Sequence, residues 1–207
     1  MKIGFIGCGN IGSILAKLWV NAGYDVILSS RHTDKLKPLA KALGMNASLG
    51  KPEEAALLGD IVVLSIPLGE IPKLNREIRD SLIGKIVIDT NNPYPERDGK
   101  DGEEALSDKD GSGVWVAKHL PGARIVKAFN TVYCKVLEKE AHRKKDPIGI
   151  PLASDDQKAL LTVAKLVEEA GFGPVKVGEL KRAKEFDNGT PPYASGASVS
   201  ELKKMFS

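Results

Sequence analysis

Three glycines, Gly7, Gly9 and Gly12, stand in the spacing G-x-G-x-x-G inside the stretch "KIGFIGCGNIGSILAKLWVNAG". A β-rich run precedes them and an amphipathic run follows at once. In that setting the first glycine permits a tight turn, the second lets backbone approach a pyrophosphate, and the third lets helix pack on strand. Backbone N–H groups at the N-terminus of the helix that follows then face phosphate oxygens. The next β-rich run, "YDVILS", ends where a carboxylate would hold the adenosine ribose of NAD, yet the chain reads Ser29-Ser30-Arg31, with no acid between Asp25 and Asp34. A carboxylate would repel a 2'-phosphate, whereas Arg31 can offer paired N–H donors, Ser30 a hydroxyl and Lys35 a further positive charge. These residues predict a site for NADP(H); the alternative for Arg31 and Lys35 is an ordinary solvated surface charge.

Other candidates lie at the ends of later β-rich runs, where open α/β sheets bind ligands. Ser65, Ile66, Pro67 and Leu68 follow one such run; Thr90, Asn91, Asn92 and Pro93 follow another; Lys127, Phe129, Asn130 and Thr131 end a third. Ser65 to Leu68 would border the cofactor's ribose and nicotinamide. Asn91 and Asn92 could hold sugar hydroxyls or a carboxamide, and Asn130 could equally be a helix cap. There is no catalytic triad, metal-ligand spacing or acid/base pair, and His32, His119 and His142 are scattered among charged or loop residues. No catalytic side chain is therefore assigned. Hydride transfer between two ring systems needs chiefly proximity and orientation.

The elements that must position these residues follow a β-α-β-α alternation from the start. After "TDKLKPLAKALG", read as a helix, come the strand "DIVVLSIP", a helix from about Glu70 to Ser81, and the strands "KIVIDT" and "ARIVKAF". A helix after Asn130, the strand "PIGIPLAS", a helix "DDQKALLTVAKLVEEAG" and a last strand "PVKVG" complete the series. Near-continuous apolar strands imply burial on both faces, hence a Rossmann-type doubly wound, mostly parallel sheet covered by helices. We expect a single domain over 1–207, with a loop insertion at about 93–113 containing one short helix and a C-terminal tail at about 185–207 that ends in a short helix.

With 30 Lys+Arg against 27 Asp+Glu, the net charge of +3 is spread along 207 residues, which suggests neither nucleic acid nor an anionic membrane as partner. Two distant cysteines, Cys8 and Cys134, argue against a disulfide scaffold or zinc site and for a reducing compartment. The N-terminus lacks the features of a signal peptide and no apolar window is long enough to span a membrane, so a cytoplasmic location is expected.

In this order, "GFIGCGNIGSILAKLWVNAG", "SSR...K", "LSIP", "DTNNPYPERDG" and "PGARIVKAFNT" resemble the NADPH-dependent reductases of coenzyme F420 and the N-terminal oxidoreductase domains of the STEAP metalloreductases. The resemblance runs over nearly the whole chain. It implies Gly7, Gly9, Asn10, Ile11 and Gly12 at the pyrophosphate, Ser30, Arg31 and Lys35 at the 2'-phosphate, and Ile66 with Pro67 beside the nicotinamide. It further implies an NADPH-dependent oxidoreductase that exchanges a hydride with a small-molecule acceptor, F420 or a flavin (FMN or FAD), and a homodimer. Leu68, Pro93, Tyr94, Phe129 and Tyr193 are candidates for an apolar wall against that acceptor, or else for core and loop packing. Two alternatives remain: an NADPH-dependent reductase of small imines or carbonyls, against which the missing helical substrate domain counts, and a non-catalytic NADP-binding redox sensor.

Overall fold

The computed structural model describes residues 1–207. Eight strands form one sheet: β1 (Lys2–Ile6), β2 (Asp25–Ser29), β3 (Ala47–Leu49), β4 (Ile61–Leu64), β5 (Ile86–Asp89), β6 (Arg124–Lys127), β7 (Gly149–Ala153) and β8 (Gly173–Gly178). Their spatial order is β3-β2-β1-β4-β5-β6-β7-β8, parallel throughout except for the antiparallel contact of β6 with β7. From β1 the chain winds outward first to β2 and β3, then returns to lay β4 on the other side of β1. That reversal opens a crevice above the C-terminal ends of β1 and β4, where such sheets take ligands.

Ten α-helices cover the sheet: α1 (Asn10–Asn21), α2 (Lys37–Leu43), α3 (Pro52–Leu58), α4 (Arg76–Leu82), α5 (Pro95–Asp98), α6 (Lys100–Ser107), α7 (Ser112–His119), α8 (Cys134–Glu140), α9 (Gln157–Glu169) and α10 (Val199–Met205). All four residues of β4 are buried, as are all four of β5, because helices lie on both faces. One apolar layer gathers Ile3, Phe5, Leu15, Trp19, Val126 and Val163; the other gathers Ile6, Val62, Leu64, Val87, Trp115 and Ile125. The period-2 alternation along each strand divides them between the two layers. Trp19 ties α1 to α9 by donating from Nε1 to the Leu166 carbonyl at 2.9 Å.

Three expectations are corrected. Residues 93–113 are mostly helical, holding α5, α6 and the start of α7; their Gly and Pro content marks short breaks between helices rather than one long loop. The helix expected at about 70–81 is a 3-10 turn at Leu68–Glu70 followed by α4, which starts only after Asn75 caps it, Oδ1 accepting from Ile78 N at 2.9 Å. Pro72 lacks the N–H that a continuous helix would need there. The run "TDKLKPLAKALG" likewise divides into a 3-10 turn at Thr33–Leu36 and α2. Short β3 and α3 were not foreseen. No helix is long and apolar enough to cross a membrane.

Candidate functional site

Gly7 follows β1 directly with φ +96°, and a Cβ there would collide with the Ser65 carbonyl and lie 2.7 Å from Ile66 Cγ2. A Cβ on Gly12 would strike the Gly7 carbonyl, so both glycines are required by the close approach of α1 to the β1–β4 edge. Gly9 differs: it caps α1 in an extended conformation, and a Cβ there would meet nothing within 4 Å. Its missing side chain leaves room in the crevice itself. Cys8 is packed beneath the turn, and burial pushes its thiol up to about 12, which keeps it protonated and removes it as a nucleophile.

Two cavities flank this turn and share Gly9, Ser65, Ile66 and Pro67, making one continuous groove. The first, of about 510 Å³, contains Gly7, Ser30, Arg31 and Lys35. Arg31 reaches across its mouth, Nη1 3.5 Å from Glu70 Oε2, and Glu70 also holds Lys73 at 2.9 Å. The Ser30 hydroxyl accepts from His32 N at 3.1 Å. Sequence reasoning missed Glu70 and Lys73, whose spacing after β4 gave no sign that they would face Arg31.

The second cavity, of about 360 Å³, contains Asn10, Ile11, Asn91, Asn92, Asn130 and Thr131. Asn92 and Asn130 are reciprocal partners: Asn92 Nδ2 donates to the Asn130 carbonyl at 2.8 Å and Asn130 Nδ2 to Asn92 Oδ1 at 3.1 Å. Asn130 Nδ2 also donates to the Phe186 carbonyl at 3.0 Å. Asn130 therefore caps no helix; Tyr133 precedes α8 instead. Asn130 Oδ1 and Thr131 Oγ1 are buried with no protein partner. Buried polar atoms are rarely left unsatisfied, so a cleft carrying two of them fits a ligand that brings polar groups of its own. Beneath Asn91, Lys127 and Asp89 form a fully buried ion pair at 2.9 Å.

Of the five expected wall residues, Tyr94, Phe129 and Tyr193 line this cavity. Leu68 does not: it is fully buried in the apolar layer with Ile6 and Leu64, because the 3-10 turn after Pro67 points it inward. Pro93 is also buried away from the cleft, and its carbonyl accepts from Asn188 Nδ2 at 2.7 Å. Tyr133, Arg97 and Ala194 join the lining unforeseen, with the Arg97 guanidinium 4.8 Å from the centroid of the Tyr94 ring. The Tyr94 and Tyr193 hydroxyls lie 2.5 Å apart, and burial together with this hydrogen bond raises Tyr193 to about 12, so it stays neutral.

Residues 187–194 are held at both ends, and Tyr193 and Ala194 at their far end line the cleft. Asp187 accepts from Ser112 N and Oγ at 3.0 and 2.6 Å, and Ala194 N donates to the Thr131 carbonyl at 2.8 Å. No group of three or more His, Cys, Asp or Glu is placed to hold a metal.

Residues 2–93, which hold the glycine turn and the cationic cavity, match the family described as NADP oxidoreductase, coenzyme F420-dependent. Among curated proteins, the F420-dependent NADP reductase of Methanothermobacter thermautotrophicus is 29% identical over 205 residues, covering 92% of this chain and 87% of that one. Metalloreductase STEAP3 of Rattus norvegicus is 25% identical over 189 residues, 90% of this chain but 36% of that protein, so the chain spans about a third of the length of its STEAP relatives. Among solved structures, the hypothetical protein SMa0349 of Sinorhizobium meliloti superposes with a TM-score of 0.77 at 28% identity, covering 94% of this chain and 93% of that one. The resemblance read from the sequence therefore holds: the chain is related to the coenzyme F420-dependent NADP oxidoreductases, its match to that family lies in residues 2–93, and its similarity to the F420-dependent NADP reductases extends over nearly its whole length.

Proposed function

We propose that this chain is an NADP(H)-dependent oxidoreductase that exchanges a hydride between NADPH and a deazaflavin (F420) or flavin-type acceptor. One observation carries the reading: a single groove along the crevice is cationic at one end, glycine-floored in the middle, and lined at the other by tyrosines and orphaned polar atoms. When bound, NADPH supplies the hydride from its nicotinamide ring, which leaves the chain the tasks of holding and orienting.

Ser30, Arg31 and Lys35 would hold the 2'-phosphate, and the N–H groups at the start of the 12-residue α1 would face the pyrophosphate across Gly9. Asn91 and Asn130 offer carbonyl oxygens to donors on the nicotinamide half, and Thr131 offers a hydroxyl. Ile66, Pro67, Tyr94, Tyr133 and Tyr193 supply apolar and aromatic surface for a second ring system.

The test is anaerobic mixing of the protein with NADPH, followed by F420, FMN or FAD in parallel while NADPH absorbance is recorded. Rapid oxidation by one of them is expected and identifies the acceptor class. Tight NADPH binding without oxidation by any of the three would refute the acceptor assignment and turn attention to small imines or carbonyls, or to a non-catalytic sensor.

A further inference from the structure

Asp89 and Lys127 end the adjacent strands β5 and β6 in register, and neither side chain is exposed to solvent. Removing two charges from water is unfavourable, and their mutual attraction seldom repays it; an apolar pair of similar volume would hold a sheet at least as well. Stability is therefore a poor explanation for this pair. Its hydrogen bonds point elsewhere.

Lys127 Nζ donates to Asp89 Oδ2 at 2.9 Å and to the Asn91 carbonyl at 2.5 Å. Asp89 Oδ1 accepts from Asn91 N at 3.0 Å and from Asn91 Nδ2 at 2.9 Å. Between them the two charges engage the backbone N–H, the backbone carbonyl and the side-chain amide of one residue. The amide can stand in one sense only: turning it over would set its oxygen against the Asp89 carboxylate. Nδ2 must face Asp89, so Oδ1 faces away from it and makes no hydrogen bond within the protein. Asn91 lines the cleft, whereas Asp89 and Lys127 do not.

We infer that the buried Asp89–Lys127 pair is a positioning device that fixes Asn91 Oδ1 as a hydrogen-bond acceptor for a donor on the nicotinamide half of the dinucleotide, a ribose hydroxyl or the carboxamide N–H. This rests on the NADP(H) reading above. The position is set by one oxygen: Asp89 Oδ1 accepts both Asn91 N–H groups, and the ammonium neutralises that carboxylate where water cannot reach it.

The experiment is calorimetric titration of NADP+ and of 2',5'-ADP, which lacks the nicotinamide half, into wild type, Asn91→Ala, the isosteric double variant D89L/K127M, and the triple variant combining all three changes, with thermal melts of each. NADP+ is expected to bind about tenfold more weakly to Asn91→Ala and to D89L/K127M, the equivalent of one hydrogen bond. The triple variant should be no weaker than Asn91→Ala, since residues acting through one another are non-additive. Affinity for 2',5'-ADP should be unchanged throughout. In D89N/K127M, which keeps an oxygen opposite the Asn91 N–H groups but no charge, NADP+ affinity should stay within about threefold of wild type.

Wild-type NADP+ affinity in D89L/K127M, losses that simply add in the triple variant, or a tenfold loss in D89N/K127M would each overturn the positioning role. The D89N/K127M arm decides the matter even if D89L/K127M does not fold. Failure of 2',5'-ADP to bind wild type would instead overturn the NADP(H) reading on which the inference stands. A 3-acetylpyridine analogue of NADP+, which lacks the amide N–H, identifies the donor: weakened binding to wild type assigns the carboxamide, and unchanged binding assigns the ribose.

Discussion

Replacing Arg31 with alanine isolates the chemistry at the cationic end of the groove. In the free protein its side chain is 75% exposed and its only ionic partner is Glu70 at 3.5 Å, a carboxylate already held by Lys73 at 2.9 Å. An exposed pair of this kind contributes about 0–1 kcal/mol, so releasing Arg31 for a ligand costs no more than that. Hydrogen bonds from a guanidinium to a phosphate dianion contribute about 1.5–3 kcal/mol. The difference leaves about 0.5–3 kcal/mol for the 2'-phosphate, or about 2- to 140-fold in affinity.

Arg31→Ala should accordingly weaken 2',5'-ADP by that factor and leave 5'-AMP unchanged, as measured by calorimetry at fixed ionic strength. The loss should shrink as salt is added, because an exposed contact is screened. Arg31→Lys should fall between the two, keeping the charge without the paired donors. Equal losses for 2',5'-ADP and 5'-AMP would refute the reasoning, since Arg31 would then be serving the adenosine or the local fold rather than the phosphate.

Two further results follow from the geometry. Gly9→Ala has open space around its Cβ and a φ of −75° that alanine accepts, so its melting temperature should match wild type or rise slightly while NADP+ binding falls at least tenfold. In contrast, Gly12→Ala drives a Cβ into the Gly7 carbonyl and should destabilise the fold by about 1–3 kcal/mol, visible as a lowered melting temperature without ligand. A stable Gly12→Ala or an unstable Gly9→Ala would reverse the roles given to the two glycines. At low pH, Asp156 is the group to follow. The Arg124 guanidinium, 2.6 Å away, and the Ala159 N–H hold its carboxyl well below the ordinary 3.8. A carboxyl depressed on folding adds stability above its unfolded value, and that stability is lost as pH falls through the folded one. The gap in thermal melts between wild type and Asp156→Asn should be full at neutral pH, narrow as pH falls below the unfolded value of 3.8, and close only well below that; a gap unchanged between about pH 7 and about pH 2 would disprove the charge contribution.

Elements whose information is local could be read along the chain. Strand alternation, the three glycines and the absence of an acid after β2 involve neighbours a few residues apart, and the period of 2 or 3.6 reports them directly. The same reasoning failed at 93–113, where Gly99 and Gly111 interrupt helices without abolishing them, and at Leu68, where a single 3-10 turn decides whether an apolar side chain faces core or cleft. Contacts between distant segments could not be read that way. Tyr94 meets Tyr193 across 99 positions, Ser112 meets Asp187 across 75, and Lys127 meets Asp89 across 38. Each pairing depends on strand order and on where the tail returns over the crevice, and no periodicity along the chain encodes either. Composition could place a lysine and an aspartate at two strand ends; the parallel register of β5 and β6 set them side by side beneath Asn91.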